Sequence, residues 1–170
     1  MRLATILSFF RRSPRYVDRE FSDLSVMLCN DLENPTYKHE LLNEERLDFS
    51  VESLKHIDAY LDVLHGDPPQ EEDAIRVVLR CGAYIGEVIR KHSPDEMHGV
   101  AFREAERYSA FAKGLGHSAA TAGILWRDPE NMCFPLGKVC KFLENGSEDS
   151  VYSFARVIVE GSLPRPANPS

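Results

Sequence analysis

Glu87 is the residue with the most chemical scope in this chain. It lies in Gly82-Ala83-Tyr84-Ile85-Gly86-Glu87-Val88-Ile89-Arg90, with Arg80 seven positions before it, Arg90 three after and Lys91 four after. A glutamate held in a cleft can act as a general base or hold a basic ligand. The Glu87 to Lys91 spacing is also the favourable orientation for an ion pair along a helix, and it predicts a structural pair there. His92, Asp95, Glu96 and His98 gather metal-capable groups within seven residues. The two-histidine helical spacing of zinc sites is missing from them, so no metal or other cofactor is expected.

Nucleophilic chemistry has weaker footing. Cys29, Cys81, Cys133 and Cys140 are far apart, without a CxxC pair. Cys81 and Cys140 sit among apolar neighbours, and buried core thiols are expected rather than a disulfide or zinc site. Cys140 lies between Lys138 and Lys141, the one electropositive setting among the four. Gly114-Leu115-Gly116-His117-Ser118 is glycine-rich but lacks the lysine and spacing of a phosphate loop. No catalytic residue is assigned.

Charge offers a different kind of chemistry. The chain of 170 residues has 20 Lys and Arg against 27 Asp and Glu, a net charge of −7. Residues 1–19 hold five arginines (Arg2, Arg11, Arg12, Arg15, Arg19) against Asp18, whereas residues 31–73 hold thirteen carboxylates against Lys38, Arg46 and Lys55. Such an acidic block repels phosphate backbones and attracts basic partners, so nucleic acid is not an expected ligand. The candidate binding carboxylates are Glu40, Glu44, Glu45, Asp48, Asp67, Glu71 and Glu72, with Glu87 beside them. Trp126, the only tryptophan, falls in an expected strand, where a core role is the more frequent one; exposed beside the acidic block, it would serve as an interface anchor.

The elements that carry these residues follow from periodicity. Phe21, Leu24, Leu28 and Leu32 recur at helical steps, with Ser22 or Asp23 as cap and Asn34-Pro35 as the break. Residues 36–49 hold at most a loose helical turn. Leu54, Ile57, Leu61 and Leu64 mark a helix over 51–65, with Ser50 as cap and Gly66 in the left-handed position that ends it. A long central helix spans about 71–91, acidic at its start and basic at its end. Gly82 and Gly86 stack on one flank of it, which predicts close approach of another backbone.

Beyond His92-Ser93-Pro94 the residues 101–115 have helical composition, and Ala120–Phe134 reads as a short β-hairpin. Pro135 suits the first turn of a helix closed by Asn145-Gly146, and a last helix runs from about 148 to 160. The expected architecture is mainly α (α+β): a helical bundle around the long helix at about 71–91, with one hairpin at about 120–134. A basic arm (1–19), a single domain (20–161) and a proline-rich tail (162–170) complete the division.

Two stretches carry a resemblance: Gly82 to Arg90, and Phe134-Pro135-Leu136-Gly137-Lys138-Val139-Cys140-Lys141-Phe142-Leu143-Glu144-Asn145-Gly146. They resemble small bacterial domains of unknown function that pair a long G-x-Y-x-G-E-x-x-R helix with a hairpin and a P-x-x-K-V-x-K-x-L-x-N-G helix. Some of those relatives look like immunity-type proteins that neutralise toxins. Many carry tryptophan where this chain reads Met97-His98-Gly99. The resemblance implies the α-rich architecture and a bacterial origin, and supplies no catalytic residue.

No apolar run approaches the ~18 residues of a membrane span. Leu3 to Phe10 precedes its arginines instead of following them, the reverse of a signal peptide, so the cytoplasm is the expected compartment. The expected function is a non-enzymatic protein-binding module whose acidic surface holds a basic protein, as an immunity protein holds a basic toxin; a homodimer stays open. The alternative is a small hydrolase or metal-assisted enzyme using Glu87 and the His92–His98 loop.

Overall fold

The computed structural model describes residues 15–161. The tail at 162–170 and residues 1–14 of the basic arm lie outside them. The elements run α1 (Asp18–Asn30), α2 (Leu54–Gly66), α3 (Glu71–His92), β1 (His98–Ala101), α4 (Phe102–Tyr108), α5 (Ala110–Leu115), β2 (Gly123–Asp128), β3 (Asn131–Cys133), α6 (Pro135–Asn145) and α7 (Val151–Val159). The fold is mainly helical with one small antiparallel sheet, as the sequence predicts. Among the described residues no helix is long and apolar enough to cross a membrane.

The long helix α3 is the axis. Glu71, Glu72 and Asp73 open it and Arg90, Lys91 and His92 close it, each set at the helix end whose partial charge it complements. Every residue from Arg80 to Ile89 is buried, so this segment is covered all round. Around it α1, α2, α6 and α7 supply Phe21, Leu28, Ile57, Leu61, Leu64, Val139, Phe142, Val151 and Ala155 to one core.

The sheet has the order β1-β2-β3, and its first strand is not one the sequence predicts: the expected hairpin is joined by His98–Ala101, paired Gly99 to Leu125 and Val100 to Ile124. On the middle strand, successive side chains point to opposite faces. Leu125 enters the main core, whereas Ile124 and Trp126 join Val100, Phe102, Ala105 and Ala112 in a second one beneath α4 and α5.

Four boundaries differ from the sequence expectation. Helix α1 begins at Asp18 and residue Tyr16 is bridged to Val100, so the folded part reaches into the basic arm drawn at 1–19. Gly66 is the last residue of α2, not a left-handed stop. The helical stretch at 101–115 is split at Ser109, whose hydroxyl accepts the Ala112 amide and so caps a new helix. Residues 36–49 form two 3-10 turns, His39–Leu41 and Glu44–Arg46.

The glycines of α3 explain how its neighbours come so close. A Cβ on Gly82 would stand 2.8 Å from the Leu136 Cα, the close backbone approach that the pair of glycines predicts. Gly86 faces a side chain instead: a Cβ there would meet the Phe21 ring at 2.8 Å. The same ring would be met by a Cβ on Gly99 at 2.7 Å and on Gly123 at 3.0 Å. Phe21, 4% exposed, therefore fills a socket whose three walls are glycines of α3, β1 and β2.

Overpacking of such a socket costs about 1–3 kcal/mol. Gly99→Ala is expected to lose about that much in urea denaturation, with Phe21→Leu in the same chain restoring part of it. Gly114→Ala, where a Cβ meets nothing within 4 Å, is expected to be neutral or to gain up to about 1 kcal/mol. Equal effects at the two glycines would contradict the socket.

Candidate functional site

The candidate carboxylates lie on a segment that the fold fixes at several points. Arg80 of α3, 4% exposed, donates to Asp31, to the Asn34 carbonyl at 2.8 Å and to Thr36 Oγ1 at 3.1 Å. Thr36 donates its own hydroxyl to the Leu28 carbonyl at 2.8 Å. This network fastens the proline turn after α1 to the central helix. A buried guanidinium needs such complete partnering.

Farther along, Leu47 is buried and Phe49 takes a left-handed backbone (φ 61°). That conformation is costly for a bulky residue and persists only where its surroundings enforce it. The Phe49 amide donates to Tyr84 Oη at 2.9 Å, its carbonyl meets His92 Nε2 at 2.9 Å, and its ring stacks on Tyr84 with centroids 4.7 Å apart. Between these two anchorages the chain from Lys38 to Asp48 runs along the surface.

The fold divides the acidic block in two. Asp31 pairs with Arg80, Glu52 with Lys55, Asp67 with Lys38, and Glu72 and Asp73 with Arg76. Asp58 holds the start of α7 by accepting from Ser150 Oγ and the Val151 amide. Glu40, Glu44, Glu45, Asp48 and Glu71 remain exposed, and among the described residues no Lys or Arg pairs with them. Glu40 has His39 Nδ1 at 3.8 Å, and Asp48 accepts the Ser50 amide at 2.9 Å. The Ser50 hydroxyl and amide hold the Asp48 carboxyl below its ordinary value, keeping it ionised. Of the seven surface candidates, Asp67 and Glu72 are thus already engaged. Exposed Leu41 lies within the segment, and Val26 shares a small pocket with Glu44 and Phe49.

Two further candidates change character. Trp126 is 1% exposed; the middle strand turns it inward against α4, edge-on to Tyr108 at 6.2 Å, so it offers no anchor to a partner. Glu87 is buried and its carboxylate is bound by Arg90, not Lys91. Lys91 instead sets its ammonium 3.7 Å from the centre of the Phe49 ring. Arg90 continues to Asp18 at 3.6 Å and to the Met97 carbonyl at 3.3 Å.

Asp18 is the residue that sequence reasoning missed. Its carboxylate accepts the Gly99 amide at 2.6 Å and lies 3.0 Å from His98 Nδ1, under the Tyr16 ring stacked on His98 at 3.9 Å. Its sequence signal is only that of an acidic residue near a helix start. The loop cluster His92, Asp95, Glu96 and His98 largely disperses: His92 faces Phe49 and Asp95 binds Arg127, while His98 lies between Asp18 and the 86% exposed Glu96, whose Oε1 is 3.7 Å from His98 Nε2. Among the described residues no three His, Cys, Asp or Glu side chains are placed to hold a metal.

The thiols are poor nucleophiles here. Burial pushes all four up, Cys133 to about 12, with Glu44 adding to the effect at Cys29 and Glu144 at Cys140. Elsewhere, a groove of about 820 Å³ runs between α5, α6 and α7, with Phe111, Leu115 and Val157 exposed along it. Comparison with known proteins gives no match: no family model, no curated protein and no solved structure.

Two outcomes test this assignment. Removing one partner of a buried ion pair costs about 3–5 kcal/mol, so Arg90→Ala is expected to approach about 3 kcal/mol in denaturation and Lys91→Ala to stay below about 1 kcal/mol. Equal losses would contradict the Glu87–Arg90 pairing. The Asn34 amide, then Arg80, hold Asp31 below its usual 3.8. Lys138, then Asn145, do the same for Asp149. Their contribution is complete above about pH 4 and fades as acid titrates the folded form. Asp31→Asn should lower stability at pH 7 and flatten the loss below about pH 4; an unchanged acid limb would contradict this.

Proposed function

We propose that this chain is a non-enzymatic protein-binding module that docks a basic protein over the acidic segment at 40–48. The observation that carries the reading is the division of the acidic block: Glu40, Glu44, Glu45 and Asp48 face water with no Lys or Arg of the described chain pairing with them, while Asp31, Asp67 and Asp73 are each paired with a cation. A carboxylate already in an ion pair must surrender one partner to gain another. An unpaired one loses only water. Fixed charges of one sign steer an oppositely charged partner and speed its association.

Holding the complex needs apolar contact as well. Leu41, 47% exposed, and Val26, 50% exposed, are the apolar groups on and beside the segment. The more specific form of this reading is an immunity-type protein that occupies a basic toxin, which fits the resemblance carried by Gly82–Arg90 and Phe134–Gly146. Such a protein blocks by contact and needs no reaction of its own. A bacterial source and a cytoplasmic location belong to the same proposal.

The test is the quadruple reversal Glu40→Lys, Glu44→Lys, Glu45→Lys and Asp48→Lys, titrated calorimetrically and kinetically against the purified basic product of a neighbouring gene at two salt concentrations. The parent protein is expected to bind with an association rate that falls with salt. The reversal is expected to slow association by roughly 10- to 1000-fold and abolish that salt dependence. Binding with unchanged rate and salt response in the folded variant would overturn the reading.

A further inference from the structure

A small pocket of about 90 Å³ lies between α1, the acidic segment and α3. Val26 and Leu28 of α1 form one wall and Leu47 and Phe49 the other, with Cys29 and Tyr84 beside them. It is far below the roughly 300–1,000 Å³ of most small-molecule sites, and suits one side chain instead of a whole ligand. Glu44 is the only charged residue among those lining it; it is exposed and pairs with no Lys or Arg among the described residues. Burial, then the Glu44 charge, raises the Cys29 thiol, so that carboxylate stands near the α1 wall. Asn30, exposed as well, adds an amide whose oxygen can accept a hydrogen bond. Apolar walls beneath a single open carboxylate fit an apolar stem with a cationic tip.

Two features narrow the choice of occupant. The Phe49 ring already holds the Tyr84 ring at 4.7 Å and the Lys91 ammonium at 3.7 Å from its centre. Little of its face is left for a guanidinium to stack on, whereas an ammonium is a compact charge on a flexible stem and needs no such platform. The outer wall, moreover, can yield. Among the described residues the chain from His39 to Asp48 makes hydrogen bonds only within residues 36–50. Lys38 (φ 51°) and Phe49 (φ 61°), with left-handed backbone, stand at its two ends, and Leu47 and Leu42 fasten it by packing. A stem entering beside Leu47 displaces this wall without breaking a hydrogen bond to α1 or α3.

We propose that this pocket receives one lysine side chain of the basic protein docked over 40–48, its stem between Val26 and Leu47 and its ammonium on Glu44. The inference rests on the docking reading and adds an anchor to it. The acidic segment steers the partner, and the pocket fixes where one of its cations lands.

The experiment follows the methyl resonances of Val26, Leu28 and Leu47 in the isotope-labelled full chain while Nα-acetyl-lysine N-methylamide is added at low salt. Saturable shifts of those three methyl groups are expected, with Val139 and Val151 unmoved. Glu44→Gln, at an exposed and unpaired position, is expected to keep the parent Tm and to weaken binding roughly 10-fold. The uncharged Nε-acetylated compound should bind the parent no better than that, and the arginine counterpart more weakly than lysine. Absent or unsaturable shifts at these methyls, equal affinity in Glu44→Gln, or tighter binding of the arginine compound would each overturn the proposal. The two readings fail separately. If the lysine compound binds as expected and the quadruple reversal leaves partner association unchanged, docking over 40–48 falls and the lysine pocket stands. If partner association responds to the reversal and the methyls stay still, the pocket falls and docking stands.

Discussion

The seating of Phe21 is the constraint on which the molecule turns. One ring is enclosed by Gly86 of α3, Gly99 of β1 and Gly123 of β2, with a Cβ at any of them falling 2.7–3.0 Å from ring carbons. A Cβ at Gly86 or Gly99 would force the ring to shift and one at Gly123 would press on it, so three elements distant in sequence are brought to one distance from α1. Asp18, one turn earlier, closes the same joint with polar contacts, taking the Gly99 amide, His98 and Arg90. The apolar plug and the carboxylate clamp act on the same strand. Glu87 is drawn into this joint through Arg90, which is why it is spent on structure.

From that joint the placement of charge follows. Once α1 is set against α3, Arg80 comes beneath the turn that leaves α1 and neutralises Asp31, while Arg76 neutralises Glu72 and Asp73 along α3 itself. The chain then crosses to Phe49, whose left-handed backbone is held by Tyr84, His92 and Lys91 of the same helix. What is left outside is a short exposed span whose carboxylates pair with no Lys or Arg among the described residues. The functional proposal rests on that remainder of charge, not on the composition of the whole block.

Much of the fold was legible because end signals and periodicity agreed. The bounds of α3 were written in Glu71-Glu72-Asp73 and Arg90-Lys91-His92, and the start of α6 in Pro135. Strand β1 was not legible: it has four residues, one of them glycine and one histidine, and its pairing is set by β2, not by local preference. The split at Ser109 was hidden by helical composition on both sides, although a serine before Phe111 and Ala112 is itself a cap signal. At the candidate site the crowding of carboxylates could be read, but not which of them stay free. Arg76 reaches Glu72 and Asp73 along its own helix, a local spacing, but Arg80 meets Asp31 and Lys38 meets Asp67 only in the folded chain. The burial of Trp126 agrees with the more frequent core role of a tryptophan in a strand, and it removes the interface role.

Residue-resolved hydrogen exchange of Phe21→Ala against the parent protein tests the joint most directly. If one ring holds α1, β1 and β2 together, the Gly99 amide and the amides of α1 should lose protection together, as parts of one opening unit. Retained protection at Gly99 alongside a frayed α1 would show that the strand is held without Phe21, and would contradict the account.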